Sequence, residues 1–272
     1  MLSYYREPGP LTTLAPGQAA LVAGLPADPE GICAAVRHLV IHPSDPAAAD
    51  IDPERLPEQN VRPADRIIGL LVRLDPAPLD VPRPQARRVV GTCRHFATLG
   101  VALLRHRGIP ARARCGFATY FQPGLHLDHW VIEHWDDGRR RWTRLDVEHL
   151  GADVPASTAD LQDGEFLTGG EAWRSYRAGA DGMTFGVPGT THAWGPAEIR
   201  GNAIRDLAAL RKLEMLPWDT WGRMTASYQG KTGPEYDALM DTIAATTATD
   251  DDEAIASLSM SEDLAVPPEL VG

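Results

Sequence analysis

Apolar and polar positions follow two different periods along this chain. From Pro29 to Ile41 the residues Ile32, Ala35, Val36, Leu39 and Val40 recur at helical spacing. Ala64 to Arg73 repeats the pattern with Ile67, Ile68, Leu70 and Leu71 on one side. Between them, residues 42–60 carry four prolines and read as a loop. Residues 74–85 are proline-rich and read as extended. Cys93 to Arg107 then predicts a helix through Phe96, Leu99, Gly100, Leu103 and Leu104, with Gly108 as its stop and Pro110 just beyond.

From Ala111 the period falls to two. Ala111 to Phe121 predicts a strand with an aromatic end, and Asp128 to Trp135 predicts a second. Asp136-Asp137-Gly138 is a turn signal, so Arg141 to Val147 returns as the partner strand of a hairpin. Beyond residue 150 the helical period comes back. Pro196 stands where a first helical residue would, and Ala197 to Leu213 carries Ile199, Ile204, Leu207 and Leu210 at helical spacing. Tyr236 to Thr246 predicts a last helix. Residues 1–27, rich in Pro, Gly and Ala, predict an irregular arm. The acidic run at Asp250 to Glu253 predicts a mobile or loosely packed tail after Ala248. There is no internal repeat. The organisation expected is a single domain over 1–272: a helical extension (1–84), a core (85–150), a helical and loop part (151–247) and an acidic tail (248–272).

Composition narrows the classes. The chain has 272 residues, 43% of them hydrophobic, with a mean hydropathy of −0.23, which fits a globular protein with a sizeable core. The net charge of −11 disfavours a nucleic-acid partner, which needs a positive footprint. No apolar stretch is long enough to span a bilayer. The N-terminus lacks the basic-then-apolar pattern of a secretory signal. Three cysteines, Cys33, Cys93 and Cys115, argue against a disulfide framework, and a reducing cytoplasm is the expected location.

One region departs from the acidic balance. Residues 81–127 hold Arg83, Arg87, Arg88, Arg94, Arg105, Arg107, Arg112 and Arg114 and no acid. The plain reading is a solvated helix face. The alternative is a positive site that favours an anionic group.

Within this region Cys93 opens a predicted helix, where unpaired N–H groups and the helix dipole favour a thiolate. His129 lies on one strand of the hairpin and Asp146 on the other, so the fold can set the imidazole beside the carboxylate. Together they make a nucleophile, a base and an orienting group. Each also has a plain structural reading: a packed thiol, a satisfied strand histidine and a turn aspartate. Several neighbours compete. His95 lies on another face of the helix from Cys93, either behind the site or exposed. His126 could replace His129 as the base. Glu148 could replace Asp146, since a period of two puts both on one face. Cys115 reads as buried and inert. Cys93, Cys115, His126 and His129 could be read as zinc ligands, but their spacing fits no common zinc pattern, so no metal is expected. No P-loop or GxGxxG occurs, so no cofactor is expected.

The run GTCRHFATLGVALLRHRGIPARARCGF, then DHWVIEHW, then RWTRLDVE resembles the core of the transglutaminase-like superfamily over about residues 85–150. Gly108 to Arg112 reproduces that pattern's GIPAR segment. His129-Trp130 matches its His-Ala-Trp strand without the alanine, and Trp142 and Asp146 match its next strand. Val147 stands where the pattern commonly has proline. The resemblance implies an α+β, papain-like fold in which the helix bearing the cysteine packs on an antiparallel sheet, with additional N- and C-terminal helices. It also implies Cys93 as nucleophile, His129 as general base and Asp146 as orienting carboxylate.

Such a trio suits acyl transfer through a Cys93 thioester, cleaving or forming an amide, ester or thioester bond in a small-molecule or peptide substrate. The arginines hint at an anionic substituent. The Cys93 N–H is one expected oxyanion donor, with Gln85 or a tryptophan indole as candidates for a second. Residues 166–179 and 191–207, rich in Gly, Trp and Arg, read either as loops over the site or as ordinary packing. The alternatives are a transglutaminase-like binding module that has lost turnover, and an acyl carrier of the arylamine acetyltransferase kind, which uses the same trio.

Overall fold

The computed structural model describes residues 2–271. Its helices are α1 (Leu2–Arg6), α2 (Pro29–Arg37), α3 (Ala64–Leu74), α4 (Cys93–His106), α5 (Gly169–Arg177), α6 (Pro196–Leu210), α7 (Arg223–Tyr228), α8 (Pro234–Thr246) and α9 (Asp252–Ser259). The strands are β1 (Val40–Ile41), β2 (Val89–Val90), β3 (Ala111–Ala118), β4 (His126–Asp136), β5 (Arg141–Leu145), β6 (Phe166–Thr168) and β7 (Phe185–Gly186). The main sheet runs β5-β4-β3-β6, all antiparallel, and β7 adds to β4 in parallel. Helix α4 packs on β3 and β4, with α2 and α3 beside it. Helices α5 and α6 also pack on β3, and α8 braces α5. This is the α+β arrangement expected of the core.

Helix α4 is buried from Cys93 through Arg105, because it has packing partners on every side. Gly100 lets it approach the strands: a Cβ there would lie 3.3 Å from Val147 Cγ2. The helix ends where the sequence predicts. Gly108 takes φ +73°, Ile109 N donates to Leu104 O at 3.0 Å, and Gly108 N donates to Arg105 O at 2.9 Å. That pair of bonds closes a left-handed cap that only glycine adopts without strain.

Four expectations are corrected. The helix expected over 29–41 ends at Arg37, and Val40–Ile41 instead pairs in parallel with Val89–Val90. A short apolar run fits a buried strand as well as a helix turn, and here the strand has a partner. The N-terminal arm is not irregular throughout: Leu2–Arg6 forms α1, Tyr5, Leu11, Val22 and Leu25 are buried, and the Tyr5 hydroxyl donates to Leu210 O at 3.1 Å. The tail after Ala248 is not loosely packed. It forms α9, buries Ile255 and Leu264, and receives the Trp221 indole N–H on Leu264 O at 3.0 Å.

The fourth correction concerns the arginines. Arg83, Arg94, Arg105, Arg112 and Arg114 are buried, not solvated. Arg94 donates to the carbonyls of Glu214 and Arg62. Arg105 donates to Ala111 O at 2.9 Å and to Thr12 Oγ1 at 2.8 Å. Arg112 and Arg114 project from β3 onto Glu133 of β4, at 2.6 and 3.1 Å, and Arg144 of β5 reaches the other oxygen of Glu133 at 3.0 Å. Arg114 also forks onto Asp206 of α6, at 2.9 and 2.7 Å. Long-range carboxylates and carbonyls make burial of these guanidinium groups tolerable.

Glu133 therefore ties three strands through three guanidinium groups. Glu133→Ala leaves those charges buried and short of a partner, at a cost of about 3–5 kcal/mol. Thermal unfolding should show a fall in Tm of about 10 °C. A change within 2 °C of wild type would mean that the network contributes little net stability.

Candidate active site

The Gly-Thr pair before Cys93 is explained by packing. Gly91 lies against the His95 ring, where a Cβ would come within 2.7 Å of Cγ. Thr92 is the residue that caps α4, and its N–H donates to His95 Nδ1 at 3.0 Å. Because Nδ1 accepts, Nε2 carries the proton and donates to Val61 O at 3.1 Å. Burial pushes the His95 pKa down to about 3, with Arg94 adding to the effect, so the ring stays neutral. His95 is thus neither exposed nor at the site; it clamps the start of α4 and fixes the place of Cys93.

The three residues expected to carry the chemistry come together. Cys93 Sγ and a ring nitrogen of His129 lie within 4.8 Å, and Glu148 offers a carboxylate oxygen within the same range of both. His129 Nε2 lies 3.0 Å from Asp146 Oδ2. That approach departs from a straight N–H···O line, so it is an ion pair more than a linear hydrogen bond. Cys93 is 7% exposed, His129 2% and Asp146 0%.

The hairpin register places the pair. Ile132 faces Leu145, and Asp146 stands one residue beyond the end of β5, diagonal to His129. Asp146 has further partners that the sequence reading did not identify. The Tyr120 hydroxyl donates to Oδ2 at 2.6 Å, His149 N donates to Oδ1 at 3.1 Å, and His149 Nδ1 lies 3.1 Å from Oδ2. Phe121 packs edge-on to His129 with centroids 5.1 Å apart, and lies 4.7 Å from the His149 ring. The signal for His149 was local: an aspartate at the start of a turn accepts the N–H of a residue shortly after it. The aromatic residues Tyr120 and Phe121, expected at the end of a strand over 111–121, lie in the bend after β3 ends at Ala118; periodicity could not say what they touch.

The electrostatics correct the thiolate expectation. Burial pushes the Cys93 thiol up to about 11, with His129 acting to lower it. Desolvation outweighs the helix start, and the arginines that were to help are turned to other partners. Burial alone would lower the His129 pKa, but the attraction of Asp146, and then the neighbouring thiol, carry it well above the usual imidazole range. Burial opposes the Asp146 charge, yet His129 and then His149 hold its pKa well below the carboxylate range. These directions favour a thiol beside an imidazolium–carboxylate pair at rest.

The other candidates sit apart. His126 begins β4, stacks on Phe185 with centroids 4.1 Å apart, and lies 3.1 Å from Thr184 Oγ1. Cys115 is buried in β3 as expected, and burial raises its pKa. Gln85 lies exposed in a short 3-10 turn. The indole N–H groups of Trp130 and Trp142 are buried without a hydrogen-bond partner among the described residues. Asp128, next to His129, accepts from Asn202 of α6 at 2.6 Å, a contact no sequence pattern announced.

Among the described residues two groups could hold a metal: Cys93, His129 and Glu148, or His129, Asp146 and His149. A thiolate, an imidazole and a carboxylate form a donor set that suits zinc. Cys115 and His126, of the four ligands weighed from the sequence, belong to neither group. Among the described residues no helix is long and apolar enough to cross a membrane.

Residues 75–147 match the family described as the transglutaminase-like superfamily. No curated protein matches the chain. Among solved structures, one described as "a Putative Cysteine Protease from Cytophaga hutchinsonii" aligns with a TM-score of 0.38 and 18% identity. The alignment covers 61% of this chain and 45% of that one, so the chain spans less than half of that protein.

The linked charges set a pH signature. The raised His129 pKa gives stability that is complete below the unfolded imidazole value, about 6.5, and is lost as pH climbs through the folded value. The depressed Asp146 pKa gives stability present above about 3.9 and lost as pH falls toward the folded value. The stability gap between wild type and Asp146→Asn should therefore be widest between about pH 4 and 6.5 and narrow on the alkaline side. Denaturant unfolding across pH checks this; a constant gap would show that the pair is not ionised.

Proposed function

We propose that the transglutaminase-like core in residues 75–147 works as a cysteine-dependent acyl-transfer site, with Cys93 as nucleophile, His129 as proton carrier and Asp146 as the group that orients and charges the imidazole. The observation that supports this reading is the row itself: Cys93 Sγ within 4.8 Å of the His129 ring, and His129 Nε2 3.0 Å from Asp146 Oδ2.

With Nε2 committed to Asp146, the other ring nitrogen is the one free to serve the sulfur. Loss of one proton from the thiol–imidazolium pair leaves a thiolate beside an imidazolium. The thiolate attacks an amide carbonyl carbon, and the carbonyl π pair moves to oxygen. The Cys93 N–H, which heads α4 and has no intrahelical acceptor, is placed to stabilise that oxyanion. Collapse breaks the C–N bond, and His129 gives its proton to the departing amine. The neutral imidazole then takes a proton from water or from an incoming amine as that attacks the thioester. The acid or new amide leaves, and the thiolate–imidazolium pair is restored. Water gives hydrolysis; an amine gives transfer.

The test is turnover on a panel of amides and thioesters, read beside iodoacetamide labelling mapped to Cys93 by peptide mass. Cys93→Ala should lose at least about a thousandfold in kcat/KM. Labelling of Cys93 should rise with pH, and His129→Ala should push its midpoint higher, because His129 is what lowers the thiol pKa. Turnover that survives in Cys93→Ala would overturn the proposal. Labelling unaffected by His129→Ala, with no turnover, would favour the non-catalytic binding module.

A further inference from the structure

Beside the site lies a cavity of about 500 Å³, in the range of small-molecule pockets. Glu148 and His149 form its inner wall, and both also contact the catalytic row: Glu148 lies by Cys93 and His129, and His149 is bonded to Asp146. Phe96, one turn into α4, completes that side. Arg37 and Arg88 also line the cavity.

These two arginines differ from the others in this stretch. Arg37 uses Nε and Nη1 to fix the carbonyls of Glu148 and Leu150, at 2.9 and 2.7 Å, which leaves Nη2 free. Arg88 uses only Nε, on Arg83 O at 2.9 Å, which leaves both Nη groups free. Among the described residues neither forms a salt bridge, in a chain where 37 acids face 26 bases and Arg62, Arg112, Arg114 and Arg144 all have carboxylate partners. Two acids, Asp45 and Glu148, line the cavity; neither forms an ion pair with these arginines, though Asp45 is near enough to attract Arg88. Asp45 caps Ala47 N at 2.8 Å, and Glu148 is turned to the thiol. Arg88 feels burial first, then the attraction of Asp45, then the repulsion of Arg37, and after burial both guanidinium groups lower the pKa of His38, another lining residue. Guanidinium groups of like charge with unused N–H groups, lining one cavity, are what a carboxylate satisfies through paired charge-assisted hydrogen bonds.

We infer that this cavity is the substrate pocket of the acyl-transfer site and that Arg37 and Arg88 bind a free carboxylate on the substrate, whose reacting carbonyl reaches past Glu148 to Cys93, itself outside the lining. The substrate class is thus an amide or thioester that also carries a carboxylate. Arg37 and Arg88 set specificity, and Glu148 keeps the anionic end away from the sulfur by repulsion. This inference rests on the proposed chemistry for its meaning, but the binding it requires does not depend on turnover.

Glutarate and its neutral analogue glutaramide serve as probes on the full chain carrying Cys93→Ala, with binding measured by calorimetry. Glutarate should bind at least about tenfold more tightly than glutaramide, and Arg88→Met in the same background should remove that preference while Arg88→Lys keeps part of it. In parallel, glutarate should slow the labelling of Cys93 in the wild type by two neutral reagents, iodoacetamide and N-ethylmaleimide, more than glutaramide does, and that difference should vanish in Arg88→Met. Equal or absent binding of the two probes, or a preference that persists in a folded Arg88→Met, overturns the inference. A Cys93 inert to both reagents while glutarate still binds would sink the acyl-transfer reading and leave the anion pocket standing.

Discussion

The site depends on one buried carboxylate. Asp146 is wholly enclosed, yet its charge is favoured because the His129 ring pairs with it and three donors converge on it: the His149 ring, the His149 backbone N–H and the Tyr120 hydroxyl. A carboxylate in that position would be costly if alone, and removing any strong partner leaves an uncompensated charge. Its satisfaction fixes the His129 ring in place and holds it protonated. The nearby thiol then has a stable cation beside it, which is what lets a sulfur raised by burial still be drawn toward its charged form.

The scaffold meets the same problem on a larger scale. Glu133, Asp206 and the arginines of β3 and β5 form a buried charged layer between the sheet and α6. Asp206 also accepts the Cys115 N–H at 3.0 Å, so α6 is bonded to the backbone of the strand next to β4. Asn202, one turn earlier on α6, reaches both Gly116 O at 3.2 Å and Asp128 at 2.6 Å. The strand bearing His129 is therefore held by the charged layer on one side and by α4, which bears Cys93, on the other. Rigid support from both directions is what the proposed proton-sharing row needs, since small displacements would separate sulfur from ring.

What could be read from the sequence was local in origin. The helix from Cys93, its glycine stop, the β3–β4–β5 order and the juxtaposition of His129 with Asp146 follow from periodicity and turn residues over fewer than sixty positions. The parts that were misread depend on partners far along the chain. Arg94 meets Glu214, Arg114 meets Asp206, and Arg105 meets Thr12, and no local pattern reveals that such side chains turn inward. Likewise, Ile255 and Leu264 anchor a tail whose composition suggested looseness. The thiol's ionisation failed for a related reason: the helix start is visible in sequence, whereas the burial that outweighs it is not.

The central claim is that Asp146 keeps His129 charged beside Cys93. Nitrogen-15 NMR of the His129 ring, followed through a pH titration, tests it most directly. The account predicts an imidazolium signal that persists well above the ordinary midpoint of about 6.5 and collapses toward neutral imidazole in Asp146→Asn. A midpoint at or below 6.5 in the wild type would contradict it.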